Sequence, residues 1–127
     1  KIDIMKVDTD GFDFSVIRSG KGLISNHHPV IYFEWEYSTL KEREKDIYSI
    51  FSFLRENGYN SVLLFDHVGE VLFEVDTNDI ETLEKCMQWT IKEIVNVENR
   101  RINYFDVLCF HSLSVLKYSE FMLKWYN

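Results

Sequence analysis

The first twelve residues constrain the fold of this chain more than any other stretch. A mostly apolar run at residues 2–7 is followed directly by Asp8, Thr9, Asp10 and Gly11. A short apolar run bounded by a turn predicts a strand buried on both faces. A strand that ends in an acidic, glycine-containing turn and continues into a helix is typical of open α/β sheets, which place their sites at the carboxyl ends of the strands. We therefore expect an α/β fold with a site at this turn.

The length and composition fit one small domain, residues 1–127. Of these residues 46% are hydrophobic and 16% aromatic, which is enough to build a core without cross-links. The formal net charge of −7 argues against nucleic acid as a partner, because a phosphate-binding surface concentrates Lys and Arg. An anionic membrane surface is disfavoured for the same reason. No apolar run approaches the roughly 20 residues of a membrane helix.

The two cysteines point to a reducing compartment. Cys86 and Cys109 have no short-range spacing, and each lies in a pattern typical of a buried helix or strand. We interpret them as reduced core thiols, which fits a cytoplasmic protein. No signal peptide is recognisable at the start of the sequence.

The periodicity of apolar residues predicts alternating strands and helices. Because Gly20 and Gly22 weaken a helix interior, we expect a break in the first helix. Strands that alternate with helices imply parallel crossovers and a sheet with helices on both faces. The predicted strands are residues 2–7, 30–36, 61–66, 70–75 and 104–110, and the third and fourth of them form a hairpin. The predicted helices are residues 12–24, 40–57 and 77–95, the last of which is capped by Thr77 or Asn78. A terminal helix carries Leu113, Leu116, Phe121 and Trp125.

Three segments in the first third of the chain carry a family resemblance. Residues 2–12 read I-D-I-M-K-V-D-T-D-G-F, residues 16–20 read V-I-R-S-G, and residues 29–34 read P-V-I-Y-F-E. They resemble the FkbM-type S-adenosylmethionine-dependent methyltransferases, whose pattern is I-D-x-(apolar)-K-x-D-(V/T)-E-G-x-E, then V-L-x-G, then P-x-(apolar)-x-x-E. Further along the chain the likeness is one of element order.

The resemblance implies that the chain is the C-terminal half of a Rossmann-like methyltransferase domain, beginning at its fourth strand. The implied sheet is mostly parallel with a late antiparallel strand. In the family, a glycine-rich cofactor loop follows the first strand and a ribose-binding acid follows the second, and this sequence contains neither. S-adenosylmethionine is therefore expected only in the complete domain, no cofactor-binding residue is assigned, and the isolated fragment is expected to be inactive. The implied acceptor is a small molecule, such as a sugar or secondary metabolite with a hydroxyl group.

The same resemblance assigns roles at the first strand. Asp8 matches a residue expected beside the methyl donor, where a carboxylate orients the acceptor or acts as its base. Asp10 and Asp13 occupy positions at which the family has Glu. Lys6 is unusual on physical grounds, since a cation in a strand buried on both faces must pair or lose its charge. We predict catalytic roles for Asp8, Lys6 and Asp10, with a structural ion pair or an edge-facing side chain as the alternative for Lys6.

Two further carboxylates follow the second strand. Glu34 and Glu36 share one strand face because side chains alternate with a period of two. If the first two strands are parallel neighbours, these glutamates lie along the same edge as Asp8 and Asp10. Glu34 also matches the acid of the family pattern, so both glutamates are candidate acceptor-binding residues, with a solvated strand end as the alternative. The four histidines show no zinc-binding spacing, so no metal is expected.

Two other functions remain open at this stage. Residues 7–11, V-D-T-D-G, also resemble the start of the haloacid dehalogenase phosphatases, but Phe12 replaces the phosphate-binding Thr of that pattern. The second alternative is a non-catalytic interaction module. An uncovered edge on the first strand would invite pairing with another copy, so a homodimer through that edge or through an aromatic surface is predicted.

Overall fold

The computed structural model describes residues 1–91, 102–114 and 118–126. These residues form a mixed α/β fold with one five-stranded sheet. The strands are β1 (Ile4–Val7), β2 (Val30–Trp35), β3 (Ser61–Phe65), β4 (Val71–Asp76) and β5 (Phe105–Cys109), and the helices are α1 (Asp13–Ser19), α2 (Lys21–His27), α3 (Tyr37–Leu40), α4 (Ser49–Glu56), α5 (Ile80–Gln88) and α6 (Tyr118–Tyr126).

The strand order in the sheet is β1-β2-β5-β3-β4. β1 and β2 are parallel, whereas β5 is antiparallel to both β2 and β3, and β3 and β4 form the expected hairpin. The prediction of a late antiparallel strand is confirmed. The prediction of a mostly parallel sheet is wrong, because β5 inserts between β2 and β3 with its direction reversed and the hairpin adds another antiparallel pair.

The main core lies on one face of the sheet. In β2, alternate side chains point to this face, and Ile31, Phe33 and Trp35 are fully buried there. Cys109, Val107 and Phe105 of β5 lie opposite them in register. The helices bury their apolar stripes against this layer through Phe14, Ile17, Ile24, Leu40, Ile50, Phe51, Leu54, Leu83 and Met87.

The opposite face of the sheet is only partly covered. α6 contacts it through the ring of Phe121, which lies 6.3 Å from that of Phe65 in β3 and 5.8 Å from that of Phe110 after β5. Ile4 of β1 is 61% exposed, and Lys6 also faces solvent. The prediction that β1 is buried on both faces is therefore wrong, because among the described residues β1 is an edge strand with a single neighbouring strand.

The helix boundaries confirm some predictions and correct others. The expected break in the first helix occurs at Gly20, between α1 and α2. The predicted helix at residues 40–57 begins only at Ser49, since residues 41–46 are all charged and offer the core no apolar side chain. It ends near Asn57 as predicted, and Gly58 follows with a positive φ of 91°.

The third predicted helix is shorter than expected and has a different cap. The side chain of Asp79 accepts a hydrogen bond from the Thr82 N–H at the start of α5, whereas the Thr77 hydroxyl is occupied by the Tyr59 and Asn60 carbonyl groups. α5 ends at Gln88, and residues 92–95 of the prediction lie outside the described residues. Of the terminal residues, Leu113 precedes α6, Phe121 lies within it, and Leu116 is outside the described residues. In the part of the chain described, no helix is long and apolar enough to cross a membrane.

Candidate active site at the carboxyl ends of β1 and β2

The turn between β1 and α1 is held by a buried aspartate. Asp13, only 2% exposed, accepts hydrogen bonds from the Thr9 backbone N–H at 2.8 Å and the Thr9 hydroxyl at 2.5 Å. Its other oxygen accepts the backbone N–H of Glu34 at 3.2 Å. Asp13 therefore ties the end of β1 to the end of β2, a positioning role that its place in the family pattern did not specify.

Gly11 allows this turn to pack closely against α3 and the segment that follows it. Its φ is 99°, and a Cβ atom there would lie 2.8 Å from the Thr39 carbonyl oxygen and 2.9 Å from Arg43 Nε. The Arg43 guanidinium lies 4.0 Å from the ring centroid of Phe12. Phe12 thus makes a cation–π contact at the position where the phosphatase alternative requires a phosphate-binding Thr.

The structure places Asp10 in the turn rather than among the strand-end carboxylates. Asp10 is exposed and has a φ of 50°, a conformation that Asp tolerates better than most residues. The backbone conformation and exposure of Asp10 are therefore explained by a role in forming the turn. The predicted catalytic role of Asp10 stays a prediction.

Four carboxylate side chains lie near the carboxyl ends of β1 and β2. We call these residues the rim carboxylates, namely Asp8, Glu34, Glu36 and Asp106. Glu34 of β2 lies directly opposite Asp106 of β5. The charges of Glu36 and Asp8 also act on Glu34. Like charges directly opposite each other destabilise a sheet, so this pair of carboxylates is a candidate for a functional site.

The environment of Glu34 makes it a weak acid. Burial is the largest cause, followed by the neighbouring Glu36 and by the charges of Asp106 and Asp8, and together they raise the pKa of Glu34 to about 7. Burial likewise raises the pKa of Asp106, with Asp8 adding to the effect, while the nearby Tyr32 hydroxyl acts in the opposite direction. A carboxyl group with a pKa near 7 can accept or donate a proton at neutral pH.

Two tyrosines border the rim carboxylates. Burial raises the pKa of the Tyr32 hydroxyl, and the nearby Asp106 carboxylate adds to the effect. Burial also raises the pKa of Tyr104, with contributions from the rim carboxylates. Both phenols therefore keep their protons at neutral pH and can serve as hydrogen-bond donors.

Lys6 supplies the nearby positive charge. Its Nζ lies 3.7 Å from Asp8 Oδ2, and it also lies 5.9 Å from the centroid of the Tyr32 ring. Both partners of the ion pair are more than half exposed, so the pair adds little to stability. The prediction that Lys6 is a buried cation is therefore wrong. Its ion pair with Asp8 agrees with the prediction that it pairs with a carboxylate at the strand ends.

Sequence reasoning missed Asp106, Tyr32 and Tyr104. The available signal was an Asp inside the otherwise apolar run of residues 105–110. Nothing in the sequence placed that Asp beside Glu34, because the pairing of β5 with β2 joins segments that are far apart in the chain.

The histidines take part in local structure. The Nδ1 atoms of His27, His67 and His111 accept backbone N–H groups of Ile2, Asn103 and Leu113, respectively. The rings of His28 and His111 stack with their centroids 4.2 Å apart. Within the described residues, no group of three or more His, Cys, Asp or Glu side chains is arranged to hold a metal ion.

Part of the chain matches a known protein family. Residues 1–61 match the Methyltransferase FkbM domain. The resemblance found in the sequence is therefore confirmed for this FkbM-domain segment. Neither a curated protein nor a solved structure matches the chain.

The FkbM-domain segment contains β1, β2, α1–α4 and the first residue of β3. It carries all five residues predicted from the sequence, namely Lys6, Asp8, Asp10, Glu34 and Glu36. Tyr104 and Asp106 lie outside it. The candidate site is thus shared between the FkbM-domain segment and β5.

Proposed function

We propose that this chain is part of an S-adenosylmethionine-dependent O-methyltransferase that acts on a hydroxyl group of a small polar acceptor. One observation supports this most: within the segment that matches the FkbM domain, Glu34 lies at the strand ends opposite Asp106 with a pKa of about 7. Transfer of a methyl group from the sulfonium of S-adenosylmethionine to a hydroxyl would break a carbon–sulfur bond, leave a neutral thioether, form a carbon–oxygen bond and release the hydroxyl proton. A base with this pKa is suited to receive that proton.

The rim carboxylates and Lys6 have separate roles in this proton transfer. Glu34 is the proposed base, and the neighbouring Glu36 carboxylate strengthens its affinity for a proton. Asp8 orients the acceptor hydroxyl, and Lys6 offsets part of the negative charge of the rim. This proposal moves the base from Asp8, the first choice from the sequence, to Glu34, because the burial and the neighbouring carboxylates act on Glu34.

The G-x-G sequence of this chain does not follow a strand, as the cofactor loop of the family pattern does. The single G-x-G sequence, residues 20–22, joins α1 to α2, and Gly20 faces Met5 and the carbonyl groups of α1 rather than open space. We therefore assign no cofactor-binding residue and derive no step at the cofactor. The proposal for this chain concerns the acceptor and its proton.

The decisive test is methyl transfer by the complete polypeptide that carries this segment. We expect a Glu34→Gln variant to lose activity by about 10²- to 10⁴-fold, because Gln cannot accept the hydroxyl proton. Glu56→Gln, an exposed position at the end of α4, is the matched control and should retain activity. Full activity of the Glu34→Gln variant would exclude Glu34 as the base, and failure to methylate any hydroxyl acceptor would exclude the proposed reaction.

A second candidate function is a non-catalytic module that dimerises through β1. The supporting observation is that, in the described part of the chain, β1 pairs only with β2 and exposes Ile4. Light scattering should then show a dimer, and Ile4→Lys should shift it to a monomer by placing a charge on the pairing edge. Val68→Lys, an exposed position in the β3–β4 turn, is the control. A wild-type chain that is strictly monomeric would contradict this candidate.

A further inference from the structure

We propose that the cavity beside α5 is a binding site for a small, uncharged aromatic molecule. The cavity has a volume of about 440 Å³, within the range of roughly 300–1,000 Å³ that is usual for small-molecule sites. Its described lining residues all lie beyond residue 61 and therefore outside the FkbM-domain segment. A site here is additional to the proposed methyltransferase function and does not depend on it.

A β-bulge in β4 forms one wall of the cavity. Leu64 lies opposite Phe73, whereas Phe65 lies opposite Val71, so Leu72 is an extra residue in β4. Successive side chains of a regular strand point to opposite faces, but at this bulge Leu72 and Phe73 both line the cavity. Bulges that redirect a side chain in this way are frequent next to active sites. The irregular register therefore favours a built site.

One face of α5 forms the second wall. Thr82, Lys85, Cys86 and Trp89 line the cavity and follow the i, i+3, i+4, i+7 spacing of a single helix face. Trp89 directly follows the last residue of α5. The helix and the bulged strand thus enclose the cavity from two sides.

The floor of the cavity is buried and its mouth is aromatic. Phe105, at the start of β5, is only 2% exposed, and Cys86 is also buried. The rings of Phe73 and Trp89 are 45% and 60% exposed. These two exposed rings are therefore free to pack against an aromatic ring that enters the cavity.

The cavity is separate from the rim carboxylates. Phe105 pairs with Trp35, and both are buried in the core on one face of the sheet. Asp106, the next residue of β5, lies opposite Glu34, and both side chains point to the other face because side chains alternate along a strand. The sheet therefore lies between the cavity and the rim carboxylates.

The polar atoms of the described lining residues favour an uncharged occupant. The Thr82 hydroxyl donates to the Asp79 carboxylate at 2.7 Å, and the Lys85 ammonium donates to the Glu81 carboxylate at 2.6 Å. Burial raises the pKa of the Cys86 thiol, which therefore stays protonated and is only a weak hydrogen-bond donor. A charged ligand would lose its hydration without gaining a counter-charge from the described part of the wall, which is costly.

Fluorescence titration of the 127-residue chain with N-phenylnaphthylamine, an uncharged aromatic probe, tests the site. We expect saturable binding of one probe per chain with micromolar affinity. Anilinonaphthalene sulfonate, which carries similar rings and a negative charge, should bind about 10-fold more weakly because the cavity lacks an unpaired cation among its described residues. Equal or tighter binding of the sulfonate would overturn the assignment of an uncharged ligand.

Trp89→Ala should weaken the affinity for N-phenylnaphthylamine by about 10-fold, because it removes an aromatic ring from the mouth of the cavity. Phe12→Ala, which removes a similarly exposed ring outside the cavity, is the matched control and should leave the affinity unchanged. Should Trp89→Ala fail to fold, Phe73→Ala provides the second route, with a similar loss expected. Unchanged affinity in these cavity variants would overturn the proposal.

Methyl-resolved NMR locates the bound probe. The signals of Leu72 and Ile102, which line the cavity, should shift on binding, whereas those of the exposed Ile4 should not. Absence of saturable binding, or shifts confined to residues outside the cavity, would contradict the site. A dimer that Trp89→Ala converts to a monomer would show that a second copy covers the cavity and would equally overturn it. None of these measurements involves methyl transfer, so their failure is distinguishable from failure of the proposed function.

Discussion

At the residue scale, the raised pKa of Glu34 makes the stability of the folded chain depend on pH. The pKa is raised from an ordinary value of 4.5 to about 7, so the folded chain binds this proton more tightly than the unfolded chain. The stabilisation is complete below about pH 4.5 and is lost as the pH rises through 7.

We predict that Glu34→Gln increases stability at pH 8 and has little effect at pH 4.5, because Gln stays neutral at both values. Urea unfolding at the two pH values measures the difference. Glu56→Gln, at an exposed site, should show no such pH dependence. An equal effect of Glu34→Gln at both pH values would show that burial does not disfavour the charge of Glu34.

A second prediction at this scale concerns two glycines with almost the same backbone conformation. Gly58 has a φ of 91° and Gly69 a φ of 92°, but only a Cβ atom at Gly58 would overlap the ring of His111. Gly69→Ala should cost about 1–2 kcal/mol of unfolding free energy from backbone strain alone. Gly58→Ala should cost more, since the buried His111 ring must also move.

Denaturant unfolding of the two glycine variants separates these contributions. Equal losses would indicate that the His111 ring moves freely. A larger loss in Gly58→Ala would support the close contact between the α4–β3 turn and His111, two residues after the end of β5.

At the element scale, Asp13 determines how β1, α1 and β2 meet. Its side chain accepts from three donors, the Thr9 N–H and hydroxyl and the Glu34 N–H. Replacement by Ala leaves these donors without their acceptor, and we expect a loss of about 2 kcal/mol. Ser15→Ala, at an exposed position of α1, is the control and should change stability by less than about 0.5 kcal/mol.

The same substitution tests how the site is positioned. Since Asp13 links the turn to the backbone of Glu34, Asp13→Ala should also shift the NMR signals of Asp8 and Glu34. Thermal unfolding and a two-dimensional spectrum measure the two effects. A stable variant with unchanged signals would contradict the positioning role of Asp13.

Element-scale prediction succeeded where local pattern was sufficient. The β3–β4 hairpin follows from two apolar runs around a short turn, and the break at Gly20 follows from the low helix propensity of glycine. The predicted start of α4 at residue 40 was wrong, because the charged residues before Ser49 were included in the helical pattern of apolar residues. The cap of α5 was wrong because Thr77 uses its hydroxyl in a tertiary contact, which local pattern does not reveal.

At the scale of the whole molecule, the described residues provide the rim carboxylates, and the glycine-rich cofactor loop of the family pattern is not found in the sequence. We therefore predict that the 127-residue chain does not bind S-adenosylmethionine with micromolar affinity. Isothermal titration calorimetry measures this directly. Binding at micromolar affinity would contradict the prediction and would place cofactor contacts within this chain.

The sequence by itself determined the strand–turn–helix at the start of the chain, the likeness to the FkbM domain, and the placement of Asp8, Glu34 and Glu36 at strand ends. These features depend on neighbouring residues and on a period of two or 3.6, so they can be read locally. Only the tertiary structure decided that β5 lies antiparallel between β2 and β3, that Asp106 opposes Glu34, and that β1 is exposed. Strand order and register depend on pairing between distant segments. The raised pKa of Glu34, which results from burial first and from neighbouring carboxylates second, depends on that tertiary arrangement.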